Sequence, residues 1–406
     1  MLVVSVVFLV PKLVLAATTY GSNDIAHWFD FLRGVKQSGP IGVYSFPFTS
    51  SLYNHPPLIG YYLELLRGAQ AVGLDLPFTI RAVSSLADVA TALIVFEIVR
   101  RRRSVSGAAA AGLVVAVSPI LFIISGFHGN TDPVFTMLTL LSAHLLVDRD
   151  RPVLAGGAMA LSLGVKIVPV VAVPCLLVYA LVRGRGTFIR YILGLALVSL
   201  IFWGPALLTQ LGPLRHNVLG YSGSAARFWG IGQLGVWAAQ PSWATYLEGP
   251  GRTLIVGLCA VIPAVLVWRR PAMAVHGVAL SLAGFLAFTP TFGTQYMAWA
   301  VAGTVVLGLR GGCAFSVLGG ALLVHVYNRW NGGLPWYRAY ADPFSPGERV
   351  FGILVWALLV GIVVEGTRRM VDSPSSERSR CIRPAPTAPT ASQPGYNSPS
   401  LSGQTL

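Results

Sequence analysis

Arginine, more than any other residue, limits how this chain can fold. Long apolar stretches follow one another almost without interruption. The breaks between many of them carry basic clusters: Arg100, Arg101, Arg102 and Arg103, then Arg149 and Arg151, then Arg183, Arg185 and Arg190, then Arg269 and Arg270, Arg310, and Arg368 and Arg369. A membrane-spanning helix needs about 20 apolar residues, and basic connections stay on the cytoplasmic side. Only 11% of the 406 residues are charged and 54% are hydrophobic, against about 25% charged in a soluble domain. That is too little polar material to cover a globule of this size, so the chain reads as an all-α polytopic membrane protein.

The arginines then fix the direction of each segment. The first, 2–17, is expected to be an uncleaved first helix leaving the cytoplasm. The stretch 78–99 ends in four arginines and must return to it. The apolar stretch 58–73 therefore cannot cross. Starting after Pro56-Pro57 and carrying Glu64 and Arg67, it should lie along the outer interface as an amphipathic helix. The 153–182 stretch begins and ends at cytoplasmic arginines, so it must hold two short helices broken near Lys166 and Pro169. Alternation gives about twelve crossings with both termini inside. A domain 1–370 then has external loops at 18–77, 209–251 and 328–349, and the Ser/Pro/Thr/Ala-rich tail 371–406 is expected to be disordered in the cytoplasm.

Composition excludes several classes. The net charge of +14 is almost all arginine, since the lysines are Lys12, Lys36 and Lys166 alone. No basic run alternates with aromatics in a soluble segment, so nucleic acid is not a partner. Cys175, Cys259, Cys313 and Cys381 have no metal-ligand spacing, and no disulfide framework, metal or cofactor is expected. No internal repeat, Walker motif or dinucleotide fingerprint is present. Glycine pairs fall inside apolar segments, where small residues let helices approach closely.

The chemistry gathers at the outer ends. Asp24, His27, Trp28, Asn54 and His55 lie in the first loop, and Asn130, His128 and Asp132 in the turn FHGNTDP. Gln295 and Tyr296 end a later segment, Arg329 opens the third loop, and Arg81 starts the second crossing. Ionisable groups near a membrane are costly and often functional. A carboxylate at the start of such a loop suits a general base acting on a hydroxyl. Plainer roles exist for each. Asp24 or Asn23 could cap a helix over AHWFDFL, and Asp132 before Pro133 could cap another. Trp28 and the loop tryptophans could anchor at the interface, and Arg81 could snorkel. Lys166 could bind phosphate, or pair with Asp88 or a backbone carbonyl.

The first loop, with Asp24, His27-Trp28 and then Asn54-His55-Pro56-Pro57-Leu58, resembles that of the GT-C polyprenyl-phosphate-sugar-dependent glycosyltransferases. It is most similar to the dolichyl-phosphate-glucose-dependent glucosyltransferases of N-glycan assembly and to bacterial relatives. Arg81 and Asp88, the His128/Asn130 turn, and FGTQYMAW with Gln295 and Tyr296 extend the likeness over roughly 1–310. Gln295 departs from it, because the eukaryotic enzymes have a His-Glu pair there.

The resemblance implies a GT-C-like fold with interfacial helices in its large first external loop. It implies a multi-pass protein of the inner (plasma) membrane, with its site on the extracytoplasmic face. It also implies an inverting transfer of a hexose or pentose from a polyprenyl-phosphate sugar to a hydroxyl of a lipid-linked or envelope glycan. Asp24 would be the catalytic base, and His128, Arg81, Lys166 and Arg329 would stabilise the leaving phosphate. His27, Trp28, Asn54, His55, Asn130, Asp132, Gln295 and Tyr296 would complete the substrate contacts. The competing class is a multi-spanning transporter or lipid flippase, which about twelve crossings and a broken helix also suit.

Overall fold

The computed structural model describes residues 1–47, 49, 52–221, 223 and 228–372. Most of the 371–406 tail, with Cys381, and Arg227 of the second loop lie outside the described residues. Among those described, every regular element is a helix, and the one β-like feature is an isolated bridge between Gly21 and Arg338.

The chain opens with α1 (Leu2–Thr18), α2 (Asn23–Gly42), α3 (Pro57–Ala71) and α4 (Leu76–Arg100). Then come α5 (Val105–Ala116), α6 (Pro119–Ile123), a π-helical turn (Ile124–His128) and α7 (Asp132–Val147). The 153–182 stretch divides into α8 (Pro152–Val165), a 3-10 turn (Val168–Ala172) and α9 (Val173–Arg183). Next is α10 (Arg185–Thr209), followed over the second loop by α11 (Leu211–Pro213), a π turn (Leu214–Leu219), α12 (Gly230–Trp237) and α13 (Pro241–Glu248). The chain ends in α14 (Pro250–Arg269), α15 (Ala274–Phe288), a 3-10 turn (Thr294–Met297), α16 (Ala298–Leu307), α17 (Leu309–Trp330) and α18 (Pro346–Asp372).

Among the described residues, seven helical stretches are long and apolar enough to cross a membrane, and four shorter apolar ones accompany them. The protein is an all-α polytopic membrane protein. With α16, these helices occupy the positions read from the apolar pattern. The expected break falls at Lys166, whose backbone is extended (φ −147°, ψ 150°). The 58–73 stretch is the separate helix α3, started by Pro57 with Pro56 as its N-cap. Core positions are clearest in α16, buried along its whole length. By contrast α10 buries little beyond Tyr191, Gly194 and Ala206, leaving an apolar surface suited to lipid. Helices α8 and α10 meet where a Cβ on Gly156 would lie 2.1 Å from Tyr191 O, and one on Gly194 2.0 Å from Val153 O. Only glycine permits that approach.

Two ends of the bundle differ in chemistry. At one end the basic clusters meet. Arg102 pairs with Asp148 at 2.8 Å, Arg149 with Glu97 at 3.1 Å, and His144 Nδ1 with Asp148 at 2.9 Å. Arg270 donates to Val371 O at 2.7 Å and Arg369 to Leu307 O at 2.9 Å. The ends of α4, α7, α14, α16 and α18 thus share one side. The opposite end carries the C-termini of α1 and α17, the N-termini of α4 and α7, and all of α2.

Two buried cations hold that second end together. Lys12 pairs with Asp88 at 2.6 Å, both about 3% exposed, locking α1 onto α4. The pairing of Asp88 with Lys166 considered from the sequence is therefore not made. Arg81 is fully buried. Its Nε donates to Pro77 O (2.8 Å) and its Nη2 to Ala16 O and Thr19 O (both 2.7 Å). Its Nη1 donates to Thr19 Oγ1 at 2.8 Å and faces Phe127 O at 3.5 Å. It serves the orphan carbonyls at the end of α1, so its guanidinium is turned into the protein rather than out to the interface.

The segment after α17 returns across this end as a strap. Tyr20 and Gly21 N–H groups donate to Tyr337 O (2.8 and 3.1 Å), and Ala339 N–H to Gly21 O (2.9 Å). Gly21 has φ +102°, and a Cβ there would sit 2.7 Å from Phe127 O. Arg329 fixes the far side of the strap: Nε and Nη2 grip the Glu348 carboxylate at 2.9 and 3.0 Å, Nη2 also donates to Pro343 O at 2.8 Å, and Nη1 meets Asp342.

Candidate active site

A cleft of about 1170 Å³ opens at this end. The first segment lines it with Ser22, Asp24, His27, Trp28, Asn54 and His55, and the π turn with His128 and Asn130. Lys166 enters from the helix break, Arg215, His216 and Tyr221 from the second loop, Arg252 from the start of α14, Thr294, Gln295 and Tyr296 from the 3-10 turn before α16, and Trp299 from α16. Trp330 and residues 341–344 close it from the strap side.

The sequence builds Asp24's setting locally. Helix α2 is capped by Ser22, whose hydroxyl accepts from Asp24 N–H at 3.2 Å. That leaves the Asp24 carboxylate free of the capping role that Asp24 and Asn23 were candidates for. Ser22 Oγ also donates to His128 O at 2.7 Å, Trp28 Nε1 to Gly129 O at 3.0 Å, and Ser84 Oγ to Asn130 O at 2.5 Å. Three successive carbonyls of the turn are thereby held by α2 and α4. Gly129 makes the turn possible: it has φ +87°, and a Cβ would meet Ile25 at 2.4 Å. A π turn beside functional groups is a recurring arrangement.

With the turn fixed, its side chains face Asp24. Asn130 Nδ2 donates to Asp24 Oδ2 at 2.8 Å, and His128 Nε2 lies 3.0 Å from the same oxygen. The Asn130 amide orientation is set because its Oδ1 accepts from Thr131 N–H at 2.7 Å. Behind, His128 Nδ1 contacts the Tyr327 hydroxyl, which is 2.8 Å from Thr294 Oγ1. Burial pushes the Asp24 carboxyl upward. The charge and hydrogen bond of His128, the Asn130 amide and the charge of Lys166 outweigh it, holding Asp24 well below the usual carboxylate range. The side chain keeps 32% exposure, so the ionised carboxylate meets the cleft.

Lys166 faces the cleft from the break between α8 and α9. Its ammonium lies 2.6 Å from Asp132 Oδ1, with Asp132 wholly buried and Lys166 18% exposed. Trp299 Nε1 donates to Asp132 Oδ2 at 3.0 Å. Asp132 makes no side-chain cap to α7. It orients Lys166 rather than lining the cleft.

His55 stacks on Trp28 (4.7 Å between centroids) inside an aromatic group with Phe31, Tyr44 and Tyr53. Burial, then the nearby Lys166 charge, pushes its imidazole down to about 3. It therefore stays neutral at physiological pH and is a poor phosphate counter-ion. His27 stacks on Phe31 at 6.2 Å, and Tyr296 on Trp299 at 4.1 Å.

The cleft thus gathers Asp24, His27, Trp28, Asn54, His55, His128, Asn130, Lys166, Gln295 and Tyr296. Arg81, Asp132 and Arg329 stand outside its lining, their polar groups taken by carbonyls or by ion pairs. Tyr327 and Thr294 had not been singled out, although a tyrosine inside an apolar helix next to Asn328 and Arg329 needs a polar partner. Arg252, which donates to Gly220 O at 3.4 Å and to Tyr221 O, is a further cation missed in the sequence.

A helical, multi-pass membrane protein with an ionised carboxylate and several cations in one polar cleft at a bundle end fits a membrane glycosyltransferase of the GT-C type. That class is supported by a family comparison: the model for dolichyl-phosphate-mannose-protein mannosyltransferases, a GT-C family, matches residues 54–208. The match takes in Asn54, His55, Arg81, His128, Asn130, Asp132 and Lys166, while Asp24 precedes it. No curated protein matches the chain.

Proposed function

We propose that the protein transfers a hexose or pentose from a polyprenyl-phosphate sugar to a hydroxyl of a lipid-linked or envelope glycan, with inversion, on the extracytoplasmic face of the plasma membrane. The observation that carries this reading is the Asp24 carboxylate, ionised and held on one oxygen by Asn130 and His128, in a cleft that also contains Lys166.

The acceptor hydroxyl approaches Asp24 and attacks the anomeric carbon. Its proton becomes strongly acidic as the new C–O bond forms, so even a carboxylate of low basicity removes it. The sugar–phosphate bond breaks with its electrons to the phosphate oxygen. Lys166, with Arg215 and Arg252 along the same cleft, supplies preorganised positive charge for that leaving group.

Purified protein given a panel of polyprenyl-phosphate hexoses and pentoses, with membrane lipid extract as acceptor, should release polyprenyl phosphate. Mannose is the first donor to try, given the family match. Release from none of them would sink the reading. The membrane orientation has its own test. A cysteine in place of Arg103, in a background with Cys313 and Cys381 changed to serine, should be shielded from an impermeant thiol reagent in intact cells. Labelling there would invert the topology.

A further inference from the structure

We propose that Tyr327 is a positioning residue for the transfer: its hydroxyl, backed by Thr294, serves both charge states of His128 and so keeps the imidazole Nε2–H on Asp24. This rests on the glycosyl-transfer reading above and adds the group that fixes the base.

The polarity of the chain follows from counting protons. An ionised carboxylate only accepts. Asp24 Oδ2 takes the Asn130 amide at 2.8 Å and faces His128 Nε2 at 3.0 Å, so Nε2 must carry its hydrogen. When His128 is neutral, Nδ1 has a lone pair, and the Tyr327 hydroxyl must donate to it. The Tyr327 oxygen then accepts from Thr294 Oγ1, 2.8 Å away. When His128 is cationic, Nδ1–H donates to the Tyr327 oxygen, and the phenol proton turns to Thr294. Only a hydroxyl with a second hydroxyl behind it answers both cases.

Burial makes that service necessary. His128 is 4% exposed, Tyr327 0% and Thr294 4%, so water does not readily replace the phenol at Nδ1. A ring without that partner can rotate, and Asp24 Oδ2 then loses one of its two donors. The Asp24 oxygen that meets the acceptor loses its fixed direction with it. Tyr327 itself is held by edge-on packing against Phe127 and Trp330, at 5.6 and 5.5 Å.

The test uses the full-length protein and Tyr327→Phe, which keeps the ring and its packing. The expected result is a kcat about tenfold lower with the KM for polyprenyl-phosphate mannose unchanged, as for the loss of one well-aligned hydrogen bond. In a His128→Asn background the same change should cost nothing further. In protein labelled with ¹⁵N-histidine, and without substrate, the His128 Nδ1 resonance should move toward that of an unbonded ring nitrogen while Nε2 keeps its proton. Thr294→Val should move it in the same direction by less. A wild-type kcat in Tyr327→Phe, an equal cost in both backgrounds, or an unmoved Nδ1 resonance overturns the proposal. Failure of every donor with the wild-type protein is a separate result and strikes the transfer reading instead.

Discussion

Asp24→Asn is expected to insert and fold, and to lose about 10²–10⁴ of the transfer rate, the range for a general base. The amide is nearly isosteric, and Ser22 rather than Asp24 caps α2, so the helix start survives. The folded carboxyl titrates below its unfolded value. Its contribution to stability is therefore complete above the unfolded value, about pH 4, and is lost only as the pH falls through the lowered folded value. Near neutral pH the variant gives up that contribution, and a modest fall in thermal stability should accompany the loss of rate. Release of polyprenyl phosphate at the wild-type rate would remove Asp24 from the chemistry.

Lys166→Met should have the second-largest effect, and on two quantities at once. Asp132 is wholly buried and would keep only the Trp299 N–H at 3.0 Å. Breaking a buried pair from one side costs about 3–5 kcal/mol, which thermal unfolding in detergent should register. Adding Asp132→Asn removes the stranded charge and should restore most of the stability. Transfer should not return, because the cation facing the donor phosphate is still missing. Recovery of both stability and transfer in the double variant would reduce Lys166 to a structural ion.

The architecture was open to sequence reasoning where one local signal decided it. Arginine clusters and apolar lengths located the helices. The pairing of cytoplasmic arginines around 153–182 required a break, and Lys166 stands in it. Pro56-Pro57 marked the start of α3. The gathering of outer-end polar groups into one cleft was also legible for Asp24, His55, His128 and Asn130.

What stayed hidden was partner choice. Lys12 and Asp88 are 76 positions apart, and His128 and Tyr327 are 199 apart. No periodicity encodes such a pairing. Arg81 is expected from the family resemblance to be a ligand for the leaving phosphate, with snorkelling as its plainer role. Its acceptors are the carbonyl oxygens that α1 leaves bare at its end, and these appear only once the helices dock. Asp24 and Asp132 both looked like caps. Ser22 took the first role, and no side chain takes the second.

The strap that joins Tyr337 and Ala339 to residues 20 and 21 carries a consequence for biosynthesis. Asp24 emerges early from the ribosome, its donors His128 and Asn130 arrive about a quarter of the chain later, and Tyr327 and the strap come near the end. Glu348, which anchors Arg329, lies in the first turn of the last helix. The surroundings of Asp24 are therefore complete only when α17 and α18 are in place. A nascent chain that ends before α17 holds Asp24 with its two donors, but without the phenol behind His128 and without the strap over residues 20 and 21.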